Sequence, residues 1–216
     1  MSILSKVVGL ISRRAESDGA GAHFAVMSPT TERPGERKIL LGLFENGLSA
    51  YHLRRPHWNA AQYRNWLSAL PAEARSRVVV HQHPQLVRKL GLAGFHLSPG
   101  AAFPPAGTGG ELSAQCEDFQ SIVRRGKNCR RVMLGPVFPP EKYDVTVPRR
   151  TPEEYAAIAA YWRAHGGKAD VVAFGGVNAG NIRFCREAGF DGVVVVGAVW
   201  EASDPVKAFR ELVRKW

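Results

Sequence analysis

Eight short apolar segments alternate with helical ones along this chain of 216 residues, and that alternation constrains the fold more than any other feature. The segments are His23–Met27, Ser49–Leu53, Val78–His81, Gly94–Leu97, Leu112–Gln115, Arg131–Leu134, Asp170–Phe174 and Gly192–Val196. Strands that alternate with helices call for a parallel α/β fold, because each return crossing needs a helix to cover the sheet. Eight repeats favour a closed (β/α)8 TIM barrel, in a single domain, over an open sheet. Helical signals fall between the strands. In WNAAQYRNWLSAL, the residues Tyr63, Trp66, Leu67 and Leu70 share one helical face. Thr151-Pro152-Glu153-Glu154 combines a cap, a first-turn proline and a capping-box glutamate, and its helix runs toward His165 and stops at Gly166-Gly167. Asp204-Pro205 opens the last helix, whose Val206, Phe209, Leu212 and Val213 can cover the barrel.

The stretch VVAFGGVNAGNIRFCREAGFDGVVVVG, from Val171 to Gly197, carries the clearest functional signal. Its first strand lacks polar alternation, as expected of a strand buried on both faces. Gly175 and Gly176 then allow a sharp turn with open amide groups. Asn178 is the expected N-cap of the next helix and Gly189 its stop, and the following strand ends at Gly197. Two adjacent parallel strands ending in glycines form the phosphate grip common after strands seven and eight of such barrels. The plainer reading is that these glycines only make tight turns.

At this length the chain is slightly short for a barrel of about 250 residues. No stretch approaches the roughly 20 apolar residues of a membrane span. The opening MSILSKVVGLISRR is mildly amphipathic, yet Lys6 interrupts it and no clear cleavage site follows. Residues 1–21 therefore read as a loose N-terminal extension and 22–216 as the barrel. Cys116, Cys129 and Cys185 are odd in number and widely spaced, which favours a reduced, cytoplasmic protein over a disulfide scaffold. The formal charge of +10 raises the question of nucleic acid, but pairs such as Arg13-Arg14, Arg124-Arg125, Arg130-Arg131 and Arg149-Arg150 are scattered and lack interleaved aromatics. A solvated basic surface that attracts phosphorylated small molecules is the simpler expectation, with neither nucleic acid nor membrane as a partner.

Two loops, PGAAFPPAGTGG after the fourth strand and Pro136–Arg150 after the sixth, fall on the face where barrel enzymes act. The motifs YHLRRPHW, GFHLSPG, MLGPVFPP and VVAFGGVNAGN…AGFDGVVVVGAVW, in that order, resemble the thiamine-phosphate synthase and thiazole tautomerase (TenI) family over residues 23–216. That family is a (β/α)8 barrel. Its synthases join a pyrimidine pyrophosphate to a thiazole phosphate with magnesium, releasing pyrophosphate. Its tautomerase branch binds the same thiazole phosphates and rearranges the ring. The resemblance implies that Gly175, Gly176 and Gly197 hold the thiazole-side phosphate; Gly197 replaces a usual serine, keeping an amide and losing a hydroxyl.

Other family positions are altered. A glutamine, an arginine and a lysine along the second strand read His52, Arg54 and Pro56 here. Arg54 survives and can hold a phosphate bidentately; the plainer reading is a surface arginine at a strand end. Ser113 stands where the family has a pyrophosphate-contacting serine, and Lys142 lies near the place of a loop lysine. The family's Asn-Asp after strand three reads His81-Gln82, and a second aspartate falls at about Ala101. Magnesium, the cofactor the resemblance implies, prefers carboxylate oxygens, so both expected anchors are missing. The tautomerase branch is expected to use a histidine two residues after the fifth-strand serine, where this chain has Gln115, which shuttles no protons near neutral pH.

Imidazole is the chemistry left. His52, His81, His83 and His96 lie at or near the carboxyl ends of strands two, three and four. A strand continuing past His81 would point His81 and His83 the same way, toward Arg54. His81, His83 and His52 are thus the candidate catalytic residues, in proton transfer on a ring-bearing phosphate ester. His96 and Lys142 are candidate substrate contacts. Clustered imidazoles also suit zinc, but spacing fixes no third or fourth ligand, so no metal ligand is assigned. Three functions stay open: a divergent synthase or TenI-like catalyst, a non-catalytic phosphate-ligand binder or regulator, and a phosphosugar isomerase or aldolase. The last has no evident strand-borne Schiff-base lysine. A phosphorylated heterocycle is the expected partner, and a homo-oligomer is left open.

Overall fold

A computed structural model of the chain describes residues 21–139 and 149–216. Eight strands, β1 (His23–Met27), β2 (Ala50–Leu53), β3 (Val78–Val80), β4 (Gly94–Leu97), β5 (Glu111–Cys116), β6 (Arg131–Leu134), β7 (Asp170–Phe174) and β8 (Gly192–Val195), form one closed parallel barrel in chain order. The seam closes between β8 and β1, with His23 opposite Gly192 and Val26 opposite Val195. The protein is a single-domain (β/α)8 barrel, as the alternation predicts.

Nine helices occur among the described residues: α1 (Glu36–Glu45), α2 (Ala60–Ser68), α3 (Ala72–Arg75), α4 (Gln85–Leu90), α5 (Phe119–Gly126), α6 (Pro152–Ala164), α7 (Ile182–Glu187), α8 (Gly197–Trp200) and α9 (Pro205–Lys215). The chain passes from β4 to β5 by a loop alone, with no helix between them. Capping sets several helix starts. Asn59 and Thr151 each form a capping box, with Gln62 and Glu154 respectively, and Asp204 accepts from the Lys207 amide. The α7 start differs from the expectation placed on Asn178. Asn181 is the N-cap residue, because the Asn178 side chain is occupied in a tight turn, accepting from the Gly180 amide at 2.7 Å.

Strand alternation sorts the apolar residues into two cores. Val78 and Val80 face outward into the layer between strands and helices, with Tyr63, Trp66, Leu67 and Leu70 from the α2 region. Val79 faces inward with Ala25, Met27, Ala50, Met133, Val172 and Val194, filling the barrel. Each fully buried side chain of this size contributes about 1.5–3 kcal/mol. Cys116, Cys129 and Cys185 are free and buried, and burial lifts their thiols to about 12, 11 and 12.

One ionic network fixes the chain where it leaves β1 and β2. Arg55 is wholly buried, and its guanidinium meets the Glu36 carboxylate at 2.5 Å. Arg55 also donates to Ser28 Oγ at 2.6 Å and to the Pro29 carbonyl. The Tyr51 hydroxyl donates to Glu36 at 2.7 Å. Helix α1 and the loops after both strands are thereby tied together beside the barrel mouth.

Candidate functional site

Strands β7 and β8 are hydrogen-bonded neighbours, so Gly175, Gly176 and Gly197 stand together at their carboxyl ends. Gly175 and Gly176 have φ of 90° and 62°, the left-handed region that favours glycine. Both also sit under the loop after β6. A Cβ on Gly175 would come within 2.5 Å of Pro136, and one on Gly176 would run into the Phe138 carbonyl. The Phe138 amide donates to the Gly175 carbonyl at 3.2 Å, and the Asn181 side-chain amide donates to the Gly176 carbonyl at 2.9 Å. With those carbonyls tied back, the turn is held in one shape. Gly197 begins α8, and a Cβ there would stand 3.0 Å from Glu201 Oε1. That carboxylate beside the rim gave no sequence signal, since only the one-turn helix brings it back.

Across the mouth, Arg54 is exposed and follows β2 in its inward-facing register. Burial is the main cause that holds His81 and His96 below the ordinary histidine range, and the Arg54 charge adds a smaller push in the same direction. Lys142 lies outside the described residues.

His52, His81 and His96 project inward from, or just beyond, the adjacent strands β2, β3 and β4, and all three are buried. His52 Nδ1 and His81 Nε2 share a hydrogen bond of 3.2 Å, one donating and the other accepting. The His81 and His96 rings lie 4.4 Å apart, and His52 stands 5.4 and 5.5 Å from them, nearly perpendicular. Burial is the main cause that lowers all three pKa values, reinforced by mutual repulsion and by Arg54, Arg125, Arg131 and His23; His96 falls to about 3. The imidazoles are therefore neutral at physiological pH.

One expectation for this region is corrected, that His83 follows His81 toward Arg54, and the positions of His96 and Ser113 are defined. β3 ends at Val80, and His83 adopts φ 58°, so the strand does not continue and His83 turns away from His81. Its Nε2 bonds the Trp58 carbonyl at 3.0 Å and its ring packs on Tyr63, outside the cluster. His96, expected as a substrate contact, is one of the buried three, 1% exposed. Ser113, expected at a phosphate, is buried in the barrel and bonds His96 Nδ1 at 2.8 Å. Below the cluster, a cavity of about 480 Å³ opens at the amino-terminal end of the barrel, reaching His52 and Ser113 past His23 and Arg131.

The donor set does not fit magnesium. Among the described residues, the one grouping of three or more His, Cys, Asp and Glu side chains close enough to share a cation is His52, His81 and His96, which offers nitrogen only. Gln82, at the family's aspartate position, is turned aside: it accepts from the Tyr63 hydroxyl at 2.9 Å and donates to the Pro56 carbonyl at 3.3 Å.

No family model matches the chain. A thiamine-phosphate synthase of Halorhodospira halophila is 26% identical over 201 residues, covering 88% of this chain and 93% of that protein. One of Chromobacterium violaceum is 30% identical over 142 residues, 62% of this chain and 65% of its own length. The crystal structure of thiamine phosphate pyrophosphorylase from Bacteroides thetaiotaomicron is similar with a TM-score of 0.74 and 27% identity, over 89% of this chain and 96% of that one. The Pyrococcus furiosus thiamine phosphate pyrophosphorylase, with a TM-score of 0.75, 21% identity and coverage of 90% and 95%, supports the fold alone. Fold and mouth together define a single-domain (β/α)8 barrel with a glycine rim on β7 and β8. Sequence and fold point the same way: in both, the chain is similar to thiamine-phosphate synthases.

Proposed function

We propose that this barrel binds a thiazole-phosphate-like heterocycle through the glycine rim of β7 and β8, and that its chemistry is no longer that of a magnesium-dependent synthase. The observation that carries the reading is the pair of left-handed glycines at the end of β7 beside the glycine that starts α8. Amides clustered in such a turn form an anion nest. Arg54, exposed across the mouth, suits a second anionic group. The family relation supports the substrate class, and the nitrogen-only donor set weighs against a metal-bound pyrophosphate. In this reading residues 22–216 are the barrel, the extension expected over residues 1–21 lies almost wholly outside the described residues, and the protein works in the cytoplasm.

The second reading is a non-catalytic binder or regulator of the same ligand class. It is favoured by the burial of the histidines, whose nearest polar contacts are one another and Ser113. A Schiff-base aldolase is disfavoured, since none of the eight strands carries a lysine. The test is calorimetric titration of the full chain with thiazole phosphate, followed by addition of pyrimidine pyrophosphate with and without magnesium. Binding without formation of thiamine phosphate is the expected result. Robust magnesium-dependent product, or no binding of thiazole phosphate, would overturn it.

A further inference from the structure

We infer that His52, His81 and His96 form a three-imidazole site for one borderline transition-metal cation, of which Zn²⁺ is the type, inside the barrel beneath the mouth. The inference goes beyond the proposed function and does not depend on it.

Geometry carries it. Each of the three side chains offers one ring nitrogen, and these atoms all lie within 4.8 Å of one another. A tetrahedral zinc with Zn–N of about 2.0–2.1 Å needs nitrogens about 3.3 Å apart. One edge is already there, since His52 Nδ1 and His81 Nε2 stand at 3.2 Å. A cation would replace the shared proton on that edge and draw the third nitrogen closer. The third ligand is pre-set: His96 Nδ1 is engaged by Ser113 Oγ, which leaves Nε2 for the metal. A partner on the far ring nitrogen is how metal-binding histidines are commonly oriented.

Three neutral nitrogens and no carboxylate favour zinc, cobalt or copper over magnesium or calcium. Three protein ligands leave a fourth position open, as catalytic zinc sites do. The cavity below is lined by His52 and Ser113, so it reaches the underside of the site.

The experiment uses the untagged full chain, stripped with chelator and then titrated separately with Zn²⁺ and Co²⁺. One equivalent should bind. Cobalt should develop the visible bands of a four-coordinate site, and excess Mg²⁺ should not displace it. X-ray absorption on the zinc form should show three imidazole nitrogens at about 2.0–2.1 Å. His81→Gln and His96→Gln should each weaken binding at least about 100-fold, and Ser113→Ala about 10-fold. His165→Ala, on the exposed end of α6, should change nothing. Gln keeps similar bulk, and circular dichroism reports whether each variant folds; if either fails to fold, the wild-type absorption data decide alone. Failure of the folded wild-type protein to bind zinc or cobalt would overturn the inference, as would an all-oxygen shell or full affinity in folded His81→Gln. None of these readouts involves thiazole phosphate, so this inference and the proposed function can fail independently.

Discussion

Arg54 and Arg55 are chain neighbours with opposite fates. Arg54 continues the inward register of His52 and reaches solvent at the mouth, whereas Arg55 points outward and is wholly buried against Glu36. Period-two alternation distinguishes the two in the sequence, and the resemblance singled out Arg54, the one the structure leaves exposed at the mouth. The partner of Arg55 was not legible, because Glu36 comes from a helix 19 residues earlier and nothing local announces the pairing. Removing one member of a buried pair leaves the other charged and unsolvated, at a cost of about 3–5 kcal/mol. Glu36→Ala should therefore lower the urea midpoint of unfolding steeply, while Arg54→Ala, exposed and outside the network, should leave it within about 0.5 kcal/mol of wild type. Arg54→Ala should instead weaken binding of pyrophosphate. Equal midpoints for the two variants would remove the structural role given to Glu36.

At the scale of elements, strand content was readable almost to the residue, because short runs such as Ala50–Leu53 and Gly192–Val195 are buried along their whole length and stand out from amphipathic helices. His83 shows where that logic stops. Alternation predicts direction only while a strand lasts, and β3 lasts three residues. The histidine cluster was half legible for the same reason: alternation turns all three inward, but His52 is in register with Val79 and Gly94, two residues before His81 and His96, and which imidazoles meet depends on barrel stagger, a property of the closed sheet. The turn after β7 offers a sharper test. Gly176→Ala would place a Cβ at φ 62° against the Phe138 carbonyl. A loss of about 1–3 kcal/mol in stability is expected from the strained backbone and displaced loop. Thiazole phosphate affinity should fall at least tenfold as the amides re-aim. A stability loss with unchanged affinity, measured by denaturation and calorimetry side by side, would mean that this glycine serves only the turn.

For the molecule as a whole, the buried imidazoles set how the barrel responds to acid. His96 is held at about 3 against an ordinary 6.5, chiefly by burial, with Arg125 and Arg54 adding repulsion from the carboxyl side. His52 and His81 are lowered in the same direction, and His23, facing the amino-terminal cavity beside Arg131 and Arg130, is lowered to about 3. Unfolded, each imidazole takes a proton below about 6.5; folded, it refuses one. The unfolded chain therefore binds more protons throughout that interval, and stability falls as pH falls. The stabilisation is complete above about 6.5 and is withdrawn down to about 3, at about 1.4 kcal/mol per pH unit for His96 alone. Ordinary carboxylates begin to matter only near pH 4, so the two causes separate on the pH axis. Chelator-treated protein should hold a level thermal midpoint from pH 8 to about 6.5 and lose it progressively below. His96→Gln, which carries no titrating ring, should show a shallower decline over the same range. A wild-type midpoint that stays level until pH 4 would mean that these rings are solvated and exchange protons freely in the folded barrel.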